Sequence, residues 1–356
     1  MTENWWIDPL ITALIVAAML WILEPLAHRL GLLDRPGGRK DHAHPTPIVG
    51  GLAMAIGIMV PVVWLGEYPR AYLGFMLGAA MLIVVGLIDD VRDVRWWWRL
   101  LAQAGAALVM IYVGGVRVEY LGELLGTRSF DLGIWSVPFT VFATVGIINA
   151  FNMCDGVDGL AGALAVTALG MYCAAAVYSG NTFMVDRLAP VIAAVGVFLA
   201  FNLRHPWRQR ARVFMGNAGS AFLGYLIAWV CFRLTQEPNH PVTPVLAPWL
   251  IAPPIIDCLV VTMRRLHQRR SPFAAGRDHL HHLLLDAGYT PTGIALGLSA
   301  VSCMLGLGAA LTLRYDLLPH AETALVLLFV AITIGYFAFS AKPGRVVAFF
   351  RTYRLF

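Results

Sequence analysis

Charge is scarce in this chain: Asp, Glu, Lys and Arg make up 13% of 356 residues, against about a quarter in soluble globular domains. Hydrophobic residues fill 59% and the mean hydropathy is +0.70, which excludes an aqueous globule and reads as a polytopic membrane protein. Cysteine is sparse too. The five present, Cys154, Cys173, Cys231, Cys258 and Cys303, fit neither zinc spacing nor a disulfide framework and are read as small core hydrophobes. There is no internal repeat or low-complexity stretch, and the lack of repeated halves weighs against a transporter. The first apolar run follows Thr2-Glu3-Asn4-Trp5-Trp6 without a basic n-region or a small-residue cleavage site, so it reads as a retained span. No soluble segment interrupts the pattern, and residues 1–356 are read as one integral-membrane domain.

A span needs about 20 apolar residues. Eleven segments qualify, at roughly 9–28, 48–66, 70–88, 99–115, 134–150, 160–179, 187–203, 216–234, 244–262, 292–313 and 321–340. The intervening segments 29–47, 89–99, 151–159, 204–215, 263–291 and 341–356 then share one side. They carry twenty of the 26 Lys and Arg, which makes that side cytoplasmic by the positive-inside rule. The expectation is an all-α bundle of about eleven transmembrane helices, N-terminus periplasmic and C-terminus cytoplasmic. The net charge of +5 is mostly this bias and is not read as nucleic-acid binding.

The informative charges stand where apolar runs stop. A carboxylate at membrane depth costs about 2.5–3.5 kcal/mol on insertion scales, so such groups are functional candidates. One motif is Asp89-Asp90-Val91-Arg92-Asp93. If the third helix continues through Asp93, these carboxylates share a face, and Arg92, Arg95 and Arg99 follow at once to pair with phosphate oxygens. Hard oxygen ligands beside phosphate suit Mg²⁺; the plainer alternative is a hairpin whose acids balance its arginines. The second motif runs Asn149-Ala150-Phe151-Asn152-Met153-Cys154-Asp155-Gly156-Val157-Asp158-Gly159. Asp155 and Asp158 lie at i,i+3, Gly156 and Gly159 leave the backbone bare for a phosphate or a base, and Asn149 and Asn152 offer amides to a nucleobase edge or a metal. Ordinary turn chemistry accounts for any one of the glycines or asparagines, though not for the set.

The longest loop on the same side contains Arg264 and Arg265 and then His279-Leu280-His281-His282. Histidines beside arginines form an anion-binding surface suited to diphosphate. Zinc is the alternative, without a second ligand cluster of metal spacing, and a solvated helix face is the plain one. Asp257 in the ninth span is expected to support the site, pairing with Arg264 two turns on. The first loop adds basic groups, Lys40 among them, at the level of lipid headgroups.

Taken in order, Asp34-Arg35-Pro36 with Val49-Gly50-Gly51, the two acidic motifs, Val213-Phe214-Met215-Gly216-Asn217-Ala218-Gly219-Ser220 and His279-Leu280-His281-His282 resemble the polyprenyl-phosphate N-acetylhexosamine-1-phosphate transferases. The likeness covers nearly the whole chain and is nearest to the bacterial undecaprenyl-phosphate GlcNAc-1-phosphate branch. It implies an active site on the cytoplasmic face of the bacterial inner membrane. There, undecaprenyl phosphate would attack the sugar-linked phosphorus of UDP-GlcNAc and release UMP, at the first membrane step of O-antigen or related cell-surface polysaccharide synthesis. The resemblance implies Mg²⁺, with Mn²⁺ as the alternative ion. By it, Asp89 and Asp90 serve the metal and the nucleophile, and Asp155, Asp158, Asn149 and Asn152 line the nucleotide side. His279, His281, His282 and Arg265 hold the diphosphate, Lys40 meets the lipid phosphate, and an aliphatic groove among membrane lipids takes the polyprenyl tail. Another N-acetylhexosamine donor stays open, and a homodimer is compatible with the sequence.

One position departs from the family. Where it usually has Gly-Asp-Ala-Gly-Ser, this chain has Gly216-Asn217-Ala218-Gly219-Ser220. Asn217 can ligate Mg²⁺ through its amide oxygen but brings no charge. An engineered inactivation, a natural variant whose other aspartates hold the metal, and a form that binds but turns over poorly all stand. Two rivals stand beside the transferase. Asp89-Asp90-Val91-Arg92-Asp93 also has the Asp-Asp-x-x-Asp form of UbiA-type prenyltransferases, whose second aspartate-rich motif is missing here. A transporter would place its acids nearer the midplane.

Overall fold

The computed structural model describes residues 6–34, 45–64, 69–124, 129–236, 242–273 and 276–353. The chain is built almost wholly from helices: α1 (Ile7–Leu30), α2 (Gly50–Trp64), α3 (Arg70–Arg92), α4 (Trp96–Tyr112), α5 (Ser136–Cys154), α6 (Leu160–Tyr178), α7 (Thr182–Asn202), α8 (Gly216–Thr235), α9 (Leu246–Leu250), α10 (Ala252–His267), α11 (Leu280–Asp286), α12 (Pro291–Arg314), α13 (Ala321–Ser340) and α14 (Pro343–Thr352). In lipid every backbone N–H and C=O needs an internal partner, which is why long apolar runs become helices. Among the described residues, eight helices are long and apolar enough to cross a membrane. Three other expected spans fall outside that set. α2 has 15 residues and α4 has 17, and the ninth is broken at Ile251, after which Pro253 and Pro254 open α10. Proline in a first turn removes no helical hydrogen bond but cannot continue a helix from before it.

Burial sorts the helices. In the most apolar window of α8, 94% of residues are buried, against 17% in α13; a helix apolar on every side belongs in the interior. α8 packs on α3, α5 and α2. Against α3 the approach is backbone to backbone, for a methyl group on Gly86 would lie 2.3 Å from the Ala218 Cα. Small residues allow such contacts between membrane helices. Tyr225 of α8 stacks on Phe75 of α3 at 5.5 Å.

Two irregular pieces complete the frame. An antiparallel pair, β1 (Leu33–Asp34) with β2 (Thr46–Pro47), leads into α2. The Phe214 N–H donates to the Pro47 carbonyl at 2.7 Å, and Gly50 N–H returns a bond to the Phe214 carbonyl at 2.9 Å, so the strand pair steadies the chain entering α8. At the other end of the sequence, where a plain loop was expected, α14 packs on α11 and α13. Val346 is fully buried there, the Tyr289 hydroxyl donates to the Phe350 carbonyl at 3.3 Å and Arg351 donates to the Asp286 carbonyl at 2.9 Å.

Candidate active site

A cleft of about 220 Å³ opens where α4 and α5 meet the chain running from α10 to α11. Its walls include Arg99, Asn149, Asn152, Asp155, Gly156, Arg265, Phe273, His279, His281 and His282. Segments more than a hundred residues apart in sequence thus converge on one cavity.

Asp89 and Asp90, neighbours on α3, do different work behind that wall. Asp90 accepts the backbone N–H of Asn217 at 2.8 Å and that of Ala218 at 3.3 Å. It caps α8 from the neighbouring helix, satisfying amides that have no partner within α8 and that favour negative charge. Gly216 makes room for this: its φ is +76°, and a methyl group there would sit 2.6 Å from Asp90 Oδ2. Asp89 is 4% exposed; it accepts the Val94 N–H at 2.8 Å and meets the Arg99 guanidinium at 3.3 Å. The face it was expected to share with Asp93 does not form, because α3 ends at Arg92 and Asp93 takes a left-handed conformation with φ 47°.

The second motif is likewise divided. Asn149 donates to Gln103 Oε1 at 2.7 Å and to the Val145 carbonyl at 2.8 Å, while Asn152 donates to Ser220 Oγ at 2.8 Å and to Asn217 Oδ1 at 3.3 Å. Asp155 lines the cleft. Desolvation pushes its carboxyl well above the ordinary carboxylate range, and the charges of Asp90 and Asp158 add to the effect. Asp158 points elsewhere, to Arg204 Nε at 2.7 Å and the Ala211 N–H at 3.3 Å. The i,i+3 spacing therefore does not place both carboxylates in the cavity.

On the opposite wall, a buried hydrogen-bond network orders the histidines. Asp257 Oδ2 takes His279 Nδ1 at 2.8 Å, and Asp257 Oδ1 accepts the Leu280 N–H at 3.0 Å and the Tyr336 hydroxyl at 3.2 Å. This replaces the expected Asp257–Arg264 pair: Arg264 instead donates to the Ser340 carbonyl at 3.0 Å and the Asp278 carbonyl at 2.6 Å. Arg265 grips the Asp278 carboxylate in a two-pronged pair at 2.6 and 3.1 Å and donates to the Pro272 carbonyl at 2.6 Å. Burial pushes the Asp278 carboxyl up, but the Arg265 bonds and charge outweigh it and hold it at about 2. His281 is 2% exposed and its Nε2 has no hydrogen-bond partner. Burial, helped by His282, lowers its pKa to about 3, so it is a neutral imidazole at neutral pH. Lys40 lies outside the described residues.

Sequence reasoning missed Asp278, Gln103, Tyr336 and the stacking of Phe273 on exposed Trp96 at 4.5 Å. An acid among five loop arginines was the signal for Asp278, and a glutamine inside an apolar helix the signal for Gln103. Tyr336 gave none.

Among the described residues no three His, Cys, Asp or Glu side chains converge as a metal site. The donor set nevertheless fits a hard cation. The charge of Asp90 acts on Asp155, the Asn217 backbone N–H binds Asp90, and the Asn217 amide oxygen accepts from Asn152. Mg²⁺ is commonly held by one or two carboxylates, completed by substrate phosphates and water.

Residues 72–235 match glycosyl transferase family 4. The chain is 31% identical over 337 residues to an undecaprenyl-phosphate alpha-N-acetylglucosaminyl 1-phosphate transferase of Yersinia pestis, covering 95% of this chain and 92% of that one. Proteins with the same description from Escherichia coli strain K12 and Haemophilus influenzae are 35% and 34% identical, over 78% and 80% of this chain and 75% and 80% of theirs.

Proposed function

The chain belongs to glycosyl transferase family 4, and from that membership we propose that it transfers N-acetylglucosamine 1-phosphate from UDP-GlcNAc to undecaprenyl phosphate, releasing UMP. Its apolar helices and bacterial relatives make it a multi-pass inner-membrane phosphoglycosyltransferase. The observation that carries the substrate reading is the cleft in which Asn149, Asn152 and Asp155 face Arg265 and the three histidines. Amides able to read a base edge stand on one side and phosphate-binding groups on the other.

In the proposed reaction a lipid-phosphate oxygen bonds to the sugar-linked phosphorus as the bond from that phosphorus to the UMP oxygen breaks. The barrier is largely electrostatic. His279, oriented by Asp257, presents its other ring nitrogen to the diphosphate. Arg99, steadied by Asp89, adds a cation at the opposite wall. Arg265 is committed to Asp278 and shapes the loop that carries the histidines. Asp158 braces the turn after α5 against Arg204. Asp90, Asp155 and Asn217 would hold Mg²⁺, or Mn²⁺ in its place, which when bound neutralises phosphate charge and polarises the phosphorus under attack. The site is assigned to the cytoplasmic face of an eleven-span bundle with a periplasmic N-terminus, supported by the bias of twenty of the 26 Lys and Arg to that side. On this reading the enzyme acts at the first membrane step of O-antigen or related polysaccharide synthesis.

The test is UMP release by the purified protein with undecaprenyl phosphate, Mg²⁺ and either UDP-GlcNAc or UDP-GalNAc. Release with UDP-GlcNAc is the expected outcome. Release with UDP-GalNAc alone would reassign the donor, and silence with both would refute the transferase reading.

A further inference from the structure

The segment between α7 and α8 doubles back on itself. The His205 N–H donates to the Arg208 carbonyl at 3.0 Å and the Arg208 N–H returns a bond to the His205 carbonyl at 2.8 Å, which closes a turn through Pro206 and Trp207. Proline presets the backbone angle that the first corner of such a turn needs. Trp207 forms the tip and is 91% exposed, more than any other large hydrophobic side chain among the described residues.

The base of this turn is fixed, and fixed beside lipid. Arg204 pairs with Asp158 at 2.7 Å and the Ala211 N–H bonds the same carboxylate at 3.3 Å, so the turn stands on the side of the bundle that holds the cleft. Arg212 reaches across to α1, donating to Glu24 at 2.9 Å and covering the Trp21 ring at 4.2 Å. Glu24 precedes Leu30, the last residue of α1, by about 9 Å at 1.5 Å per residue. Its neighbours Trp21, Ile22 and Leu26 are exposed on a helix apolar enough to span a membrane, which makes that flank lipid-facing.

The turn is basic as well as aromatic. Residues 204–212 hold four arginines and no acid. Asp158 and Glu24 balance Arg204 and Arg212, whereas Arg208 donates to the Ala200 and Leu203 carbonyls, neutral acceptors that leave its charge standing. Arg210 is exposed. Tryptophan concentrates where a bilayer meets water, having an apolar ring and a polar N–H, and arginine near that surface is drawn to anionic headgroups. A stable protein interface needs about 800 Å² on each partner, far more than a two-residue tip offers.

We propose that the 204–212 turn docks on the anionic glycerophospholipid surface on the cleft side of the membrane. Trp207 seats among the headgroups, and Arg208 and Arg210 face their phosphates. Because Asp158 joins the turn to the chain bearing Asp155, docking ties that wall of the cleft to the membrane surface.

The test puts an environment-sensitive fluorophore at Trp207→Cys in the full chain, reconstituted in vesicles of phosphatidylcholine alone or mixed evenly with phosphatidylglycerol, with labelled wild type subtracting the native cysteines. In mixed vesicles nitroxide lipids should quench the probe more strongly than aqueous iodide does, and in phosphatidylcholine alone the order should reverse. Adding Arg210→Gln should lower the docked-to-undocked ratio about fivefold, the effect of one arginine at an anionic surface, and high salt should lower it further. Without a label, wild type should lose more tryptophan emission to brominated phosphatidylglycerol than Trp207→Leu does. Both side chains are exposed and neither lines the cleft, so UMP release in detergent should stay within about twofold of wild type. Equal quenching in the two kinds of vesicle overturns the anionic assignment, and equal losses of tryptophan emission overturn the site. A probe open to iodide throughout overturns the docking, and one shielded from both quenchers overturns the lipid in favour of a protein contact.

Discussion

Replacing Asp257 by Asn tests whether His279 is set for catalysis by the carboxylate beneath it. The carboxylate takes three hydrogen bonds, from His279 Nδ1 at 2.8 Å, Leu280 N–H at 3.0 Å and the Tyr336 hydroxyl at 3.2 Å. Asparagine keeps the shape and one acceptor oxygen, which can go on serving Leu280 and Tyr336. Its NH₂ group then faces His279 Nδ1, so that nitrogen must accept and the ring proton moves to Nε2. The imidazole stays in place while losing its anion. A charge-assisted hydrogen bond contributes about 1.5–3 kcal/mol, which at 1.4 kcal/mol per decade lowers kcat/KM roughly 10- to 150-fold. Tyr336→Phe removes only a neutral bond of about 0.5–1.5 kcal/mol and should cost roughly 2- to 10-fold. The assay is initial-rate UMP release over a range of UDP-GlcNAc, with thermal melting alongside. Asp257→Asn activity within twofold of wild type at an unchanged melting temperature would refute the positioning role, as would Tyr336→Phe costing more than Asp257→Asn.

Three further outcomes follow from the same geometry. Asn217→Asp puts a carboxylate where an amide now accepts from Asn152 at 3.3 Å, with Asp90 on its own backbone N–H. It should lower the melting temperature in EDTA and shift the Mg²⁺ midpoint of activity to lower concentration, and an unchanged metal titration would show that residue 217 is no ligand. Gly156→Ala drives a methyl group to 2.6 Å from His281 Nε2, and because that ring is 2% exposed and packed on His282 at 4.3 Å, overpacking of about 1–3 kcal/mol is expected; an unchanged melting curve would count against the contact. In acid, His281, held neutral down to about 3, takes its proton only in the unfolded chain, so stability is full above the ordinary histidine pKa of about 6.5 and falls as pH drops from there toward 3. Asp278, held down at about 2, contributes stability above the ordinary aspartate pKa of about 3.9 that is lost as pH falls toward 2. His281→Gln should flatten the upper part of the melting-temperature profile and Asp278→Asn the lower part, and profiles parallel to wild type would exclude both.

The helical class was legible because lipid leaves an apolar run of twenty residues little choice. The site was legible in part. Asn149 and Asn152 stand together on the last turns of α5 and line the cleft, as their closeness in sequence suggested. Partners drawn from distant segments were not legible: Asp90 accepts the amides of α8, Asp158 pairs with Arg204, and Asp257 takes a histidine in place of the expected Arg264. A carboxylate can bond any donor that folding brings within 3 Å, and no local spacing encodes which. Asp93 failed for a local reason, a left-handed residue that ends α3 one step before the expected face is complete.

The packing of α14 bears on how the protein should be handled. With seven residues, α11 is too short to hold its own conformation, and part of its support is the tail, through the Phe350 carbonyl and the Arg351 guanidinium. An affinity tag fused there, or a deletion after Ser340, acts on the segment bearing His281 and His282. Purification handles therefore belong at the amino terminus, and low activity in a C-terminally tagged preparation says nothing about the chemistry until an untagged one has been assayed.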